Sequence, residues 1–174
     1  LTESFCRSIR SNVFCCNNHV VSIGQTSFIC STLWSRVSEQ QTEAVEQTLL
    51  DFKEIEICGA HLTVADFNAL FEACFGFVQR AVESSEAEKL VVVSHHVPSL
   101  SAVADRRKES SVSSGFVTEL DNWISGTSVR YWIFGHSHDS LEAVSGAVRL
   151  VSNQLGTLHG GKPKDFVREK VFEI

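Results

Sequence analysis

No apolar run in this 174-residue chain approaches the ~20 residues that a membrane-spanning helix needs. A membrane segment is therefore not expected. The chain also lacks a basic tract. Fifteen lysines and arginines face 21 acidic residues, the formal net charge is −6 and the pI is near 5.6. A protein that grips a phosphate backbone concentrates positive charge on one face, so a nucleic-acid-binding patch is not expected. None of the six cysteines (Cys6, Cys15, Cys16, Cys30, Cys58 and Cys74) forms a C-x-x-C pair. That argues against a zinc knuckle or a thioredoxin-like site. Several lie in apolar stretches, where they read as buried free thiols of a reducing, cytoplasmic setting. No repeat, low-complexity linker or signal peptide is visible, and the sequence starts at Leu1 rather than at a methionine.

What is present is the composition of an ordinary globular domain. Hydrophobic residues make up 43% and charged residues 21%, and the length suits a single domain over residues 1–174. Residues 12–35 read as a β-meander, with turns at Asn17-Asn18 and Gly24-Gln25. Residues 39–52 form a weak helix or ordered loop with Val45, Leu49 and Phe52 as its apolar side. A strong helix begins at Thr63, capped with the help of Asp66, with Leu62 and Phe67 at staple positions. Its stripe of Phe67, Leu70, Phe71, Cys74, Val78, Ala81 and Val82 is core packing. Strand 90–93 follows, then a polar surface loop over 99–114. A helix capped by Ser113 or Ser114 carries Phe116, Leu120 and Ile124. Strand 131–134 comes next, then a hairpin around Ser145-Gly146. An edge-like strand over 166–174 closes the chain.

Two of these strands end alike. Leu90-Val91-Val92-Val93 runs into Ser94-His95-His96, and Tyr131-Trp132-Ile133-Phe134 runs into Gly135-His136-Ser137-His138. Four of the seven histidines thus follow the two most apolar short runs. The 41 residues from His95 to His136 leave ample room for a right-handed crossover. The two strands are then parallel, and both clusters share one sheet edge, where α/β proteins gather ligands. Neutral imidazole is the commonest protein metal ligand. His95, His136 and His138 could form one three-histidine site, or half of a two-metal site. A two-metal site also needs carboxylates, and only Asp139 adjoins either cluster.

These blocks resemble the calcineurin-like metallophosphoesterases. Ser94-His95-His96-Val97-Pro98-Ser99 is similar to their T-H-H-x-P-S block, and Gly135-His136-Ser137-His138 to their G-H-x-H block. Thr32-Leu33-Trp34 and Asn153-Gln154-Leu155-Gly156 resemble the T-L-W and N-x-x-G of one bacterial-type branch. The resemblance implies an α/β fold, a four-layer α-β-β-α sandwich, and hydrolysis of a phosphomonoester or phosphodiester by a metal-bound hydroxide. It implies two divalent ions (Mn, Zn, Fe or Ni). His95 and His136 would ligate one ion and His138 the other, while His96 would lie behind the ligands or beside the substrate. The family's D-x-H, G-D and G-N-H blocks have no counterpart here. Asn18-His19 lacks the flanking glycine and acid and reads as a turn. The chain therefore resembles the C-terminal portion of the domain, with the N-terminal strands, helices and general acid supplied by a missing N-terminal half, and it is expected to be inactive alone. The alternative is a non-catalytic protein-binding scaffold of the same fold. Metallo-β-lactamases are a poorer match because no histidine follows Asp139, and amidohydrolases because their H-x-H lies on the first strand.

Overall fold

The computed structural model describes residues 2–156 and 165–174. β1 (Phe5–Arg10) and β2 (Val13–Asn17) pair antiparallel as a separate two-stranded ribbon. β3 (His19–Ile23) and β4 (Thr26–Ser31) pair antiparallel within the main sheet. The expected meander is thus split, and β1 is an addition to it. Asn17-Asn18 is not a hairpin tip, because β2 and β3 belong to different sheets. Both asparagines are buried and hold the crossing. Asn17 Oδ1 accepts from the Thr32 amide and hydroxyl, each at 2.9 Å. Asn18 donates to the Thr2 carbonyl at 3.0 Å and accepts from the Ser31 hydroxyl at 2.7 Å. Its φ of +45° is a conformation asparagine tolerates.

α1 (Thr42–Thr48) and α2 (Asp51–Glu54) are short, and Val45, Leu49 and Phe52 are buried as their spacing implied. β5 (Glu56–Ile57) and β6 (Ala60–His61) form a small hairpin. α3 (Val64–Glu83) starts at Thr63 with a complete capping box. The Thr63 hydroxyl accepts from the Asp66 amide at 3.2 Å, and Asp66 accepts from the Thr63 amide at 3.1 Å. Its buried stripe runs from Val64 through Phe67, Leu70, Phe71, Cys74 and Val78 to Val82.

β7 (Lys89–Ser94) leads into a loop that includes α4 (Asp105–Lys108). The helix expected from Ser113 to Ile124 is absent. A 3₁₀ turn at Ser113–Gly115 and the four-residue α5 (Asp121–Ile124) stand there instead. Tertiary pairing overrides the helical spacing. Val97 donates to the Phe116 carbonyl, Thr118 to Val97, and Leu120 to Pro98, at 3.0–3.2 Å. Ser113 and Ser114 bond Gln41 and the Ser38 amide rather than capping.

β8 (Tyr131–Ile133), β9 (Glu142–Ser145) and β10 (Val148–Val151) complete a six-stranded sheet in the order β3-β4-β7-β8-β10-β9. The four central strands are parallel and each edge strand is antiparallel. The chain is thus a mixed α/β protein. Side chains alternate between the sheet's faces. Ile29, Leu90, Val92, Trp132, Val148 and Leu150 join the main core with the α3 stripe. Val91, Tyr131 and Val151 form a second cluster on the other face, joined by Phe28, Val93 and Ile133. Gly146 has φ +60°, and a Cβ there would lie 2.6 Å from the Ser125 carbonyl, so the β9–β10 turn requires glycine.

The C-terminal segment is not a strand. Phe172 and Ile174 lie against the second cluster, the Tyr131 hydroxyl donates to the Glu173 carbonyl at 3.0 Å, and Lys89 donates to the Ile174 carbonyl at 2.8 Å. Side chains of the sheet hold the tail across its face, so it does not extend a ladder. The cysteines also depart from expectation. Cys6, Cys15 and Cys58 are exposed and only Cys74 is buried. No described helix is long and apolar enough to cross a membrane.

Thr63→Ala removes one half of the α3 cap and should lower unfolding stability by ~1 kcal/mol, with Thr63→Ser restoring most of it. Urea unfolding of the three proteins measures this, and an unchanged midpoint for Thr63→Ala would show that the box adds nothing.

Candidate metal centre

The parallel register of β7 and β8, with Val93 opposite Ile133, delivers both histidine clusters to one sheet edge. Backbone bonds carry the pairing beyond the strands. Gly135 donates to the His95 carbonyl at 3.0 Å, and His96 donates to the Thr32 carbonyl, just after β4, at 3.2 Å. The Trp132 indole donates to the Ser94 hydroxyl at 2.9 Å, and that hydroxyl donates to the His96 carbonyl at 2.8 Å. The turn bearing His95 and His96 is therefore fixed from the core.

The second histidine loop is more contorted. His136 has φ +66° and His138 φ +58°. Left-handed backbone at a residue with a Cβ costs ~1–3 kcal/mol and concentrates at functional sites. Gln154 keeps the loop closed. Its Oε1 accepts from the His138 amide at 2.7 Å, and its Nε2 donates to Ser137 Oγ at 2.9 Å and to the Asp139 carbonyl at 2.7 Å. No metal or charge argument points to Gln154; only its place in the N-x-x-G-like block marked it. Leu33 and Trp34 are also left-handed, at φ +66° and +59°. They seat the Trp34 ring 5.6 Å from the His96 ring.

Three imidazoles converge. One ligand nitrogen from each of His95, His96 and His136 lies within 4.8 Å of the others. His136 Nδ1 and His95 Nε2 are 2.9 Å apart, and the His96 and His136 ring centres 4.1 Å. His96, expected behind the ligands or beside the substrate, lies within this cluster, walled by Trp34 and Phe67. His138 is exposed and outside the trio, though its charge disfavours protons on His95 and His136. Asp139 faces away: Arg106 and Arg107 hold its two oxygens, Arg107 Nε at 2.6 Å.

Two nitrogens of the cluster, His96 Nδ1 and His136 Nε2, are buried with no well-formed hydrogen bond among the described residues, although the Gly115 backbone still favours a proton on His136. An unmet buried polar atom costs ~1–3 kcal/mol, which a ligand would offset. Burial is also the largest influence on protonation. It holds the His96 pKa well below the ordinary value, and His136 is pushed down to about 3, reinforced by the charge of His95 and opposed by the Gly115 backbone. His95 is lowered too, again mainly by burial. All three are therefore neutral near pH 7, the form that ligates metals. Nitrogen donors in this number and setting fit a borderline divalent ion.

No protein-family model matches the chain. It is similar to uncharacterized protein L509 of Acanthamoeba polyphaga mimivirus, at 24% identity over 159 aligned residues, covering 85% of this chain and 56% of the viral protein. The chain thus spans little more than half the length of that curated relative.

The buried imidazoles set a pH dependence. An unfolded histidine takes a proton near pH 6.5, whereas folded His136 does so only at about 3. Between those values the unfolded chain binds more protons. Stability of the metal-free protein should thus be level above ~pH 6.5 and fall on acidification, by up to ~1.4 kcal/mol per pH unit for each such histidine. Chemical unfolding at stepped pH reads the slope. It should be shallower in His136→Gln, and an unchanged slope would contradict the assignment.

Proposed function

We propose that this chain is the histidine-bearing part of a metal-dependent phosphoester hydrolase of the calcineurin-like type. The observation that carries the reading is the convergence of His95, His96 and His136 at the ends of adjacent parallel strands, with two nitrogens buried and without a well-formed hydrogen bond among the described residues. A divalent ion held there would polarise a phosphoryl oxygen and lower the pKa of water. His95, His96 and His136 bind that ion, and Gln154 holds the His136–Asp139 loop in place. His138, exposed beside them, is the ligand we assign to a second ion.

The protein's own charges favour an anionic substrate. Arg106 and Arg107 bring two guanidinium groups against one carboxylate, Asp139. Arg107 stacks over Phe116 at 5.7 Å, and the Phe116 ring lies 4.9 Å from that of His136. An arginine fork suits phosphoryl oxygens because it offers paired donors in a plane. In this reading the sheet and α3 form one α-β half of a four-layer sandwich. The second sheet, the bridging carboxylate and the general acid come from an N-terminal half. The apolar residues exposed on the ribbon, Phe5, Ile9, Val13 and Phe14, suit contact with such a half.

Calorimetric titration of residues 1–174 with Zn²⁺ and Mn²⁺, with aryl phosphate hydrolysis assayed alongside, tests the proposal. One ion per chain is expected, with affinity at least ~10-fold weaker in His95→Ala, His96→Ala and His136→Ala, the scale on which even supporting contacts of metal sites are felt. Hydrolysis should be weak or absent, since a positioned general acid alone typically adds ~10²–10⁴-fold. Failure to bind either ion would remove the metal reading and leave the scaffold. Strong turnover by this chain alone would overturn the division of the site between two halves.

A further inference from the structure

We propose that Cys6 and Cys16 are a reversible dithiol–disulfide pair that closes the β1–β2 ribbon. The two residues are direct cross-strand partners in the antiparallel ladder. Their sulfurs are 3.1 Å apart, with the Cys16 thiol donating to Cys6. Opposed residues in such a ladder hold their Cβ atoms ~4.5–5.5 Å apart. A disulfide wants ~3.5–4.5 Å and an S–S bond of ~2.05 Å. Closure therefore takes a shift of about an ångström within an existing ladder, and the backbone path stays as it is. The ribbon packs few side chains and is exposed along β1, so it has the freedom to make that shift.

The neighbouring thiols are placed differently. Cys15 opposes Arg7 in the ladder, and its side chain leaves the opposite face of the ribbon. Cys30 lies on β4 in the main sheet, opposite His19. Cys74 is buried on the inner face of α3. Geometry thus selects one pair.

The oxidant is a small-molecule disulfide. Cys6 is exposed on the fully exposed strand β1, so the reagent reaches its sulfur first. The Cys6 thiolate attacks one sulfur of the reagent, whose S–S bond breaks and releases one thiol. Cys16 then gives its proton to water and attacks the Cys6 sulfur of the mixed disulfide, displacing the second thiol. Two protein thiols are oxidised, and one external disulfide is reduced to two thiols. Excess thiol reverses both steps. The bond falls one residue before Asn17, whose side chain holds Thr32, and the Thr32 carbonyl accepts from the His96 amide. Closure of the ribbon thus tightens a support of the histidine turn.

The test is equilibration of the folded protein in glutathione buffers of graded ratio, followed by acid quench, alkylation of remaining thiols and peptide mass mapping. A single Cys6–Cys16 cross-link should form as the buffer becomes oxidising and vanish when it is made reducing. It should be lost in Cys6→Ser and Cys16→Ser and kept in Cys15→Ser and Cys30→Ser. Cys6 remaining fully alkylatable across the range would overturn the proposal. So would a cross-link from Cys6 to Cys15 or Cys30, or a glutathione adduct on Cys6 that never resolves.

Discussion

The parallel pairing of Lys89–Ser94 with Tyr131–Ile133 is the constraint on which the candidate site depends. In parallel register both strands deliver their C-terminal ends to one edge, so whatever follows them must meet there. Here histidines follow each. The pairing is held by a core on both faces: Leu90, Val92 and Trp132 pack into the helix layer, and Val91 and Tyr131 into the opposite cluster. Shifting the register by one residue would send each side chain to the wrong face. It would also separate His95 from His136. Core packing and site geometry are therefore one requirement.

That requirement comes with a local cost. His96 is enclosed by Trp34, Phe67 and its two histidine neighbours, and its Nδ1 has no hydrogen-bond partner among the described residues. His136 sits in left-handed backbone, in a loop that Gln154 clasps at Ser137, His138 and Asp139. Local rules broken in this way are expected at functional or strained sites. Asp139, which follows His138 in the chain, is turned to two arginines instead. The site is thus rich in neutral nitrogen and flanked by positive charge, a setting for a cation at its centre and an anion at its rim.

Much of the scaffold was legible because it rests on short-range signals. Thr63 and Asp66 announce the α3 cap, the spacing from Phe67 to Val82 announces its buried stripe, and Ser145-Gly146 announces the β9–β10 turn. The histidine-bearing strands were legible because continuous apolar runs mark strands buried on both faces. What was hidden depends on partners distant in sequence. Phe116, Leu120 and Ile124 have helical spacing, yet pairing with Val97 and Pro98 holds that segment extended. Asn17 and Asn18 have turn chemistry, yet they are buried beneath Thr32 and Ser31. Val171, Phe172 and Ile174 suggest a strand, but the hydroxyl of Tyr131 and the ammonium of Lys89 take the tail's carbonyls first. At the site, the expectation for His96 was a place behind the ligands or beside the substrate. Its membership of the cluster follows from the Trp34–Phe67 wall that turns its ring, which no spacing reveals.

The central claim is that His95, His96 and His136 together hold a divalent ion. X-ray absorption at the zinc edge of the zinc-loaded protein tests it most directly, because it counts the imidazoles around the metal. The account predicts three, at Zn–N distances of ~2.0–2.1 Å, falling to two in His96→Ala. A spectrum with one imidazole or none, or one that His96→Ala leaves unchanged, would contradict it.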